Sequence, residues 1–183
     1  VALALLIGLL LTGHQVWRAY APVNAPAARA AIALVGIAGA PIAAFVLLIV
    51  MANIQGALAP LSSVMGLLPM DGSVPEVAQV REQFAAGTIS PVLETLIGDF
   101  RAYHLALVVI AAAAAVIVVA ADMVLWIRWS RMPRQDVRLR RVTATIAAVL
   151  PTFAVLLLFI MVVNLSTVAA TAPALAAFFG GSL

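Results

Sequence analysis

No Asp, Glu, Lys or Arg occurs anywhere in residues 30–70 or 142–183. Apolar stretches of that length constrain a fold more than any motif does, because a surface built from them cannot face water. The charge that exists is grouped between them. All ten basic residues are Arg, and eight fall in two short segments, two in 18–29 and six in 128–141. Short Arg-rich loops between long apolar runs are the pattern of a multi-pass membrane protein oriented by the positive-inside rule.

Composition points the same way. Soluble domains are about 45–50% apolar and about 25% charged. This chain is 66% apolar and 9% charged, with a mean hydropathy of +1.19. Its 183 residues suit one membrane domain of four helices and leave no room for a separate soluble catalytic domain. The net charge of +3 and pI near 10.6 accompany Arg residues that flank apolar runs, so anionic headgroups are the expected counter-charge, not nucleic acid. Zero Cys excludes disulfides and thiolate chemistry. Ala abundance without Lys suggests a GC-rich bacterial genome, and hence a bacterial inner membrane. The sequence starts at Val1, not Met, so either earlier residues are missing or a leader has been removed. The first apolar run lacks the basic start and small-residue cleavage site of a signal peptide.

A spanning helix needs about 20 apolar residues. Four candidates meet or approach this: residues 2–17, 30–52, 105–126 and 142–168. Trp17, Tyr20, Tyr103, Trp126 and Trp129 stand at span ends, as interfacial aromatics do. The expected fold is all-α, an integral membrane four-helix bundle. Loops 18–29 and 127–141 are then cytoplasmic, and both termini and the connection 53–104 extracytoplasmic. That connection carries five acids (Asp71, Glu76, Glu82, Glu94, Asp99) against Arg81 and Arg101, which agrees with the orientation. An offset of 110 residues superposes Arg18 on Arg128, Pro41 on Pro151 and Met51 on Met161, the mark of two tandem helical hairpins.

The outer connection contains helix signals. Ser73-Val74-Pro75-Glu76 reads as a capping box with Pro in the first turn. Val77, Val80 and Phe84 follow at helical spacing, with Gly87 as the C-terminal stop. Ser90-Pro91 starts a second helix with Val92, Leu93, Leu96, Ile97 and Phe100 on one face, and it can run directly into the third span. Two short amphipathic helices are therefore expected here, lying on the outer membrane surface or against a partner. Residues 58–68, with Pro60, are expected to extend the second span with a kink.

Few side chains suggest chemistry. Asp122 is the one carboxylate inside an expected span, and His14 sits at a similar depth in the first span. An intramembrane ionisable residue is a functional candidate by default, and a His14–Asp122 pair would either handle protons or join two helices by a hydrogen bond. His14 and His104 fall at opposite ends of the bundle, about 25–30 Å apart at 1.5 Å per residue, which excludes one haem held by both. Gly36 and Gly39 beside Pro41 form a candidate packing seam. Asn53 and Asn164 stand near outer helix ends, where they either line a polar cavity or terminate the helices at the interface. Arg128, Arg131, Arg134, Arg138, Arg140 and Arg141 offer a contact for lipid phosphate or an acidic partner. No phosphate-binding Gly loop, metalloprotease motif or nucleophile elbow occurs, so no catalytic or metal residues are assigned.

These features predict a non-enzymatic integral subunit that helps assemble or stabilise a larger inner-membrane complex. Its partners would be the bilayer and other membrane subunits; bound lipid is expected, and no intrinsic cofactor. Two alternatives follow from the same residues: a small transporter or channel using Asp122 and His14, and a redox subunit sharing a haem or quinone site.

Overall fold

A computed structural model describes residues 2–20, 26–69 and 73–180, with side chains in the first two helices described only in part. Every regular element among the described residues is helical: α1 (Ala2–Tyr20), α2 (Pro26–Leu58), α3 (Pro60–Met65), α4 (Pro75–Ala85), α5 (Pro91–Arg131), α6 (Val137–Ala169) and α7 (Thr171–Phe178). The chain divides into two compact units, Val1–Ile54 and Gln55–Leu183.

In the first unit, α1 has Arg18 in its last turn, where a cation favours the negative end of the helix dipole. The expected first and second spans lie within α1 and α2, but among the described residues neither of these helices qualifies as a membrane span by length and composition; two helices do, not four.

The second unit is built on a helical hairpin. Helix α5 has 41 residues, about 60 Å at 1.5 Å per residue, twice the roughly 30 Å of a bilayer's hydrocarbon. The second amphipathic helix and the third span are thus one rod, because nothing between Ser90 and Met132 breaks helix geometry. Helix α6 returns for 33 residues and is continuous through Pro151. These two helices are long and apolar enough to cross a membrane by length and composition, and only 11% of each apolar window is buried within the protein. The core helix of a soluble protein would be mostly covered.

The covered positions fall on regular seams. On α5, buried Ala111 and Ala115 lead into half-buried Val118, Asp122, Leu125 and Trp129. On α6, Arg140, Thr143, Ala147, Leu150, Ala154, Leu157, Met161 and Asn164 are the matching series. Alternating steps of three and four residues are the spacing of coiled-coil contacts, and Ala at the seam lets the backbones approach closely. Val116, Ile117, Val155 and Phe159 on the outer flanks are each at least 65% exposed.

At one end of the hairpin, α3, α4, the first turns of α5, and α7 form a cap. Its core is Met65, Val77, Leu93, Phe100, Leu175 and Phe179. The amphipathic reading of this region holds for α4, where Val77 is buried and Val80 and Phe84 pack against the core. It holds for Leu93, Leu96, Ile97 and Phe100, but not for Val92, which is 78% exposed.

Local signals explain the boundaries. The N-cap of α4 is Val74, one residue after the expected Ser73, in extended conformation (φ −98°, ψ 114°) and with no side-chain cap bond of its own. A residue before proline is driven out of the helical region, so Val74 cannot be the first helical residue and the start moves one position along. At the other end, Gly87 takes φ +65°, with Gly87 N–H donating to Phe84 O (3.2 Å) and Thr88 N–H to Gln83 O (3.0 Å). That pair of bonds is the Schellman stop. Ser90 caps α5 as expected, its hydroxyl accepting from Leu93 N–H at 3.2 Å. Residues 58–68 differ from expectation: Ala59 (φ −143°, ψ 73°) leaves helix geometry ahead of Pro60, and α3 is a separate short helix instead of a kinked extension.

Candidate functional site

The cap end of the hairpin carries a polar node that sequence reasoning missed. His104 Nδ1 and Asn164 Oδ1 lie 2.7 Å apart, joining α5 to α6. Asn164 is buried, and its Nδ2 donates to Ile160 O at 2.7 Å. This second bond fixes the amide so that its oxygen faces the ring. Asn164 therefore links two helices; it does not terminate one, and α6 continues to Ala169. Asn53, by contrast, donates Nδ2 to its own helix at Ile49 O, 2.7 Å away. Around His104 stand Phe100, in edge contact at 4.5 Å between ring centres, and Tyr103 at 5.5 Å. Together with Ser62, Ser63, Met65, Gly66, Thr167, Ala174 and Phe178 these three residues line a half-open cleft of about 410 Å³.

Two long-range bonds hold the elements around this cleft. Asp99 Oδ2, from α5, accepts from Ser62 N–H at 2.6 Å, so a carboxylate satisfies one of the free N–H groups at the start of α3 and opposes its dipole. Arg81 Nε, from α4, donates to Phe179 O at the end of α7. Ser62 Oγ and Gln55 Nε2 are buried without a hydrogen-bond partner among the described residues.

The opposite end of the hairpin holds the Arg-rich turn. Arg128, Arg131, Arg134, Arg138 and Arg141 are exposed and Arg140 is half-buried. Arg140 reaches back from the first turn of α6 to cap α5. Its Nη1 donates to Trp129 O (3.0 Å) and Met132 O (2.7 Å), and its guanidinium lies 4.6 Å from the Trp129 ring centre. Trp126 and Trp129 meet edge to face at 5.5 Å. The six Arg are thus not equivalent, as sequence position alone had suggested: Arg140 is structural, because its planar fork matches the orphan carbonyls at a helix end.

Asp122 lies on the α5 seam. The His104–Asn164 and Trp129–Arg140 links set the register and place Asp122 level with Ala147, which is fully buried. Its Oδ1 is buried with no hydrogen-bond partner among the described residues. His14 is exposed on α1, in the first unit. Gly36, Gly39 and Pro41 fall within α2, and the side-chain surroundings of Gly36 and Pro41 lie outside the described residues. Among the described residues no group of three or more His, Cys, Asp or Glu is placed to hold a metal ion.

Compared with protein-family models, with curated proteins and with solved structures, the chain matches none of them. The functional reading therefore stands on chemistry and geometry alone.

Proposed function

We propose that this chain is a non-catalytic integral subunit of a larger bacterial inner-membrane complex, which it helps assemble or stabilise. In this reading four spans cross the bilayer: α1, most of α2, the apolar part of α5, and α6. The Arg-rich turns are cytoplasmic, and both termini and the cap are extracytoplasmic.

The observation that carries the proposal is the apolar surface of the cap. Lipid accounts for exposed Val, Leu and Phe on the flanks of α5 and α6. It does not account for a segment outside the spans that exposes Leu67 (83%), Val92 (78%) and Ile89 (64%). Beside them runs an apolar groove of about 480 Å³ bounded by α3, α4, α5 and Phe179. Apolar patches on an ordered, aqueous-facing surface mark interaction sites.

Purification in mild detergent, with identification of stoichiometric co-purifying membrane proteins, tests this. The same partner should be lost from a Val92→Asp, Leu67→Asp double variant that still folds. A wild-type protein that runs alone, or a partner retained by the variant, would refute the subunit reading.

A second reading, a small transporter or channel, draws on the buried Oδ1 of Asp122, which has no hydrogen-bond partner among the described residues. Loss of solute flux in liposomes on Asp122→Asn would favour it over the first.

A further inference from the structure

The cleft at the cap end has the size and chemistry of a ligand site. Its volume of about 410 Å³ lies within the roughly 300–1,000 Å³ of small-molecule pockets, which are mainly apolar with a few placed polar groups. Aromatic faces come from Phe100, Tyr103 and Phe178. The polar groups have defined roles. Because Asn164 Oδ1 can only accept, the proton of the neutral His104 ring sits on Nδ1, and Nε2 is left as an acceptor. An acceptor on an imidazole and aromatic walls together suit a flat ring that carries its own hydroxyl groups.

We propose that this cleft binds the headgroup of a membrane-soluble quinol. One ring hydroxyl donates to His104 Nε2. This inference rests on the membrane reading above, for it takes the ligand from lipid: His104 on α5 and Thr167 on α6 stand at the ends of the two apolar spans, so an isoprenoid tail can remain in the bilayer. The imidazole acceptor selects the reduced ring. An oxidised quinone presents only carbonyl oxygens to Nε2 and leaves that lone pair unmatched, a loss of the kind that makes buried polar sites discriminating.

The test uses the full chain in nanodiscs of neutral phospholipid, titrated with a short-chain dimethoxybenzoquinol under reductant, its oxidised quinone, and its O-methylated ring. The quinol is expected to bind about tenfold more tightly than either analogue, a difference of about 1.4 kcal/mol. His104→Leu should reduce that preference to within about twofold. Gly66→Leu provides a second variant. A Cβ at Gly66 meets no atom within 4 Å, its backbone is ordinary (φ −65°), and it lines the cleft, so filling it should abolish binding while the melting temperature holds. Equal binding of all three rings to the wild type, or unaltered binding by Gly66→Leu, would overturn the proposal. Alkaline carbonate extraction of the same protein from native membranes reports separately on the membrane reading. A protein that stays in the membrane yet shows no quinol preference refutes the site alone.

Discussion

Replacing Arg140 separates two roles that charge alone would merge. Orientation depends on the summed basic charge of a loop, so under that role Arg140 and Arg141 are interchangeable. In the structure Arg140 donates to Trp129 O and Met132 O and stacks on the Trp129 ring. Hydrogen bonds from a charged donor are worth about 1.5–3 kcal/mol when buried, an exposed cation–π contact about 0.5–1, and a cation at a helix C-terminus about 0.3–1. These terms overlap, and Arg140 is half-exposed, so Arg140→Gln is expected to cost about 2 kcal/mol of local stability. That corresponds to about a 30-fold rise in opening of the turn. Amide hydrogen exchange of peptides covering 127–141 reads it directly. Arg141→Gln should change exchange by less than about twofold. Arg140→Lys keeps the loop charge and loses the planar fork, so it should exchange faster than wild type with topology unaltered. Equal effects from Arg140→Gln and Arg141→Gln, or none from either, would refute the capping argument.

Other perturbations follow from the same geometry. Leu175→Ala empties a fully buried position in the cap core and should cost about 2–5 kcal/mol, seen as rapid proteolysis of the cap at temperatures where wild type resists. Gly87→Ala forces a side chain into φ +65° and should lower the urea midpoint by the equivalent of about 1 kcal/mol. Asp99→Asn removes the charged acceptor from the start of α3 and should loosen that helix by about 1 kcal/mol, measured as faster exchange at Ser62 N–H. Asp122→Leu removes a buried oxygen that bonds nothing among the described residues and should leave thermal stability equal or higher; a clear drop in melting temperature would reveal a partner for that carboxylate.

Much of this architecture is legible in the sequence because it follows from local rules. Ser90-Pro91 announces the start of α5, Gly87 stops α4, and the uncharged run after Arg141 reads as a single long rod. The misplaced start of α4 has a local cause too: Pro75 acts on the residue before it, and Val74, not Ser73, becomes the cap. What escaped is long-range. Asn164 lies 60 residues from His104, and no local pattern says that they meet. One signal was present, however. Stepping back from Asp122 by alternating fours and threes reaches Ala115, Ala111 and His104, which marks His104 as a seam residue. Asp99 and Arg81 read as ordinary surface charge, because nothing in their neighbours shows that the starts and ends of α3 and α7 are brought to them. Arg140 was hidden among five other Arg residues, distinguished only by facing the last carbonyls of α5.

The proposed function requires the Arg-rich turn and the cap to lie on opposite sides of a bilayer. The native chain has no Cys, so Ser130→Cys and Ser73→Cys each introduce a single reporter at an exposed position. With a membrane-impermeant maleimide on intact spheroplasts, Cys introduced at Ser73 should label at once, and that at Ser130 only after the membrane is breached. Labelling of the Ser130 site from outside, or equal labelling of both before permeabilisation, would contradict the orientation on which the proposed function depends.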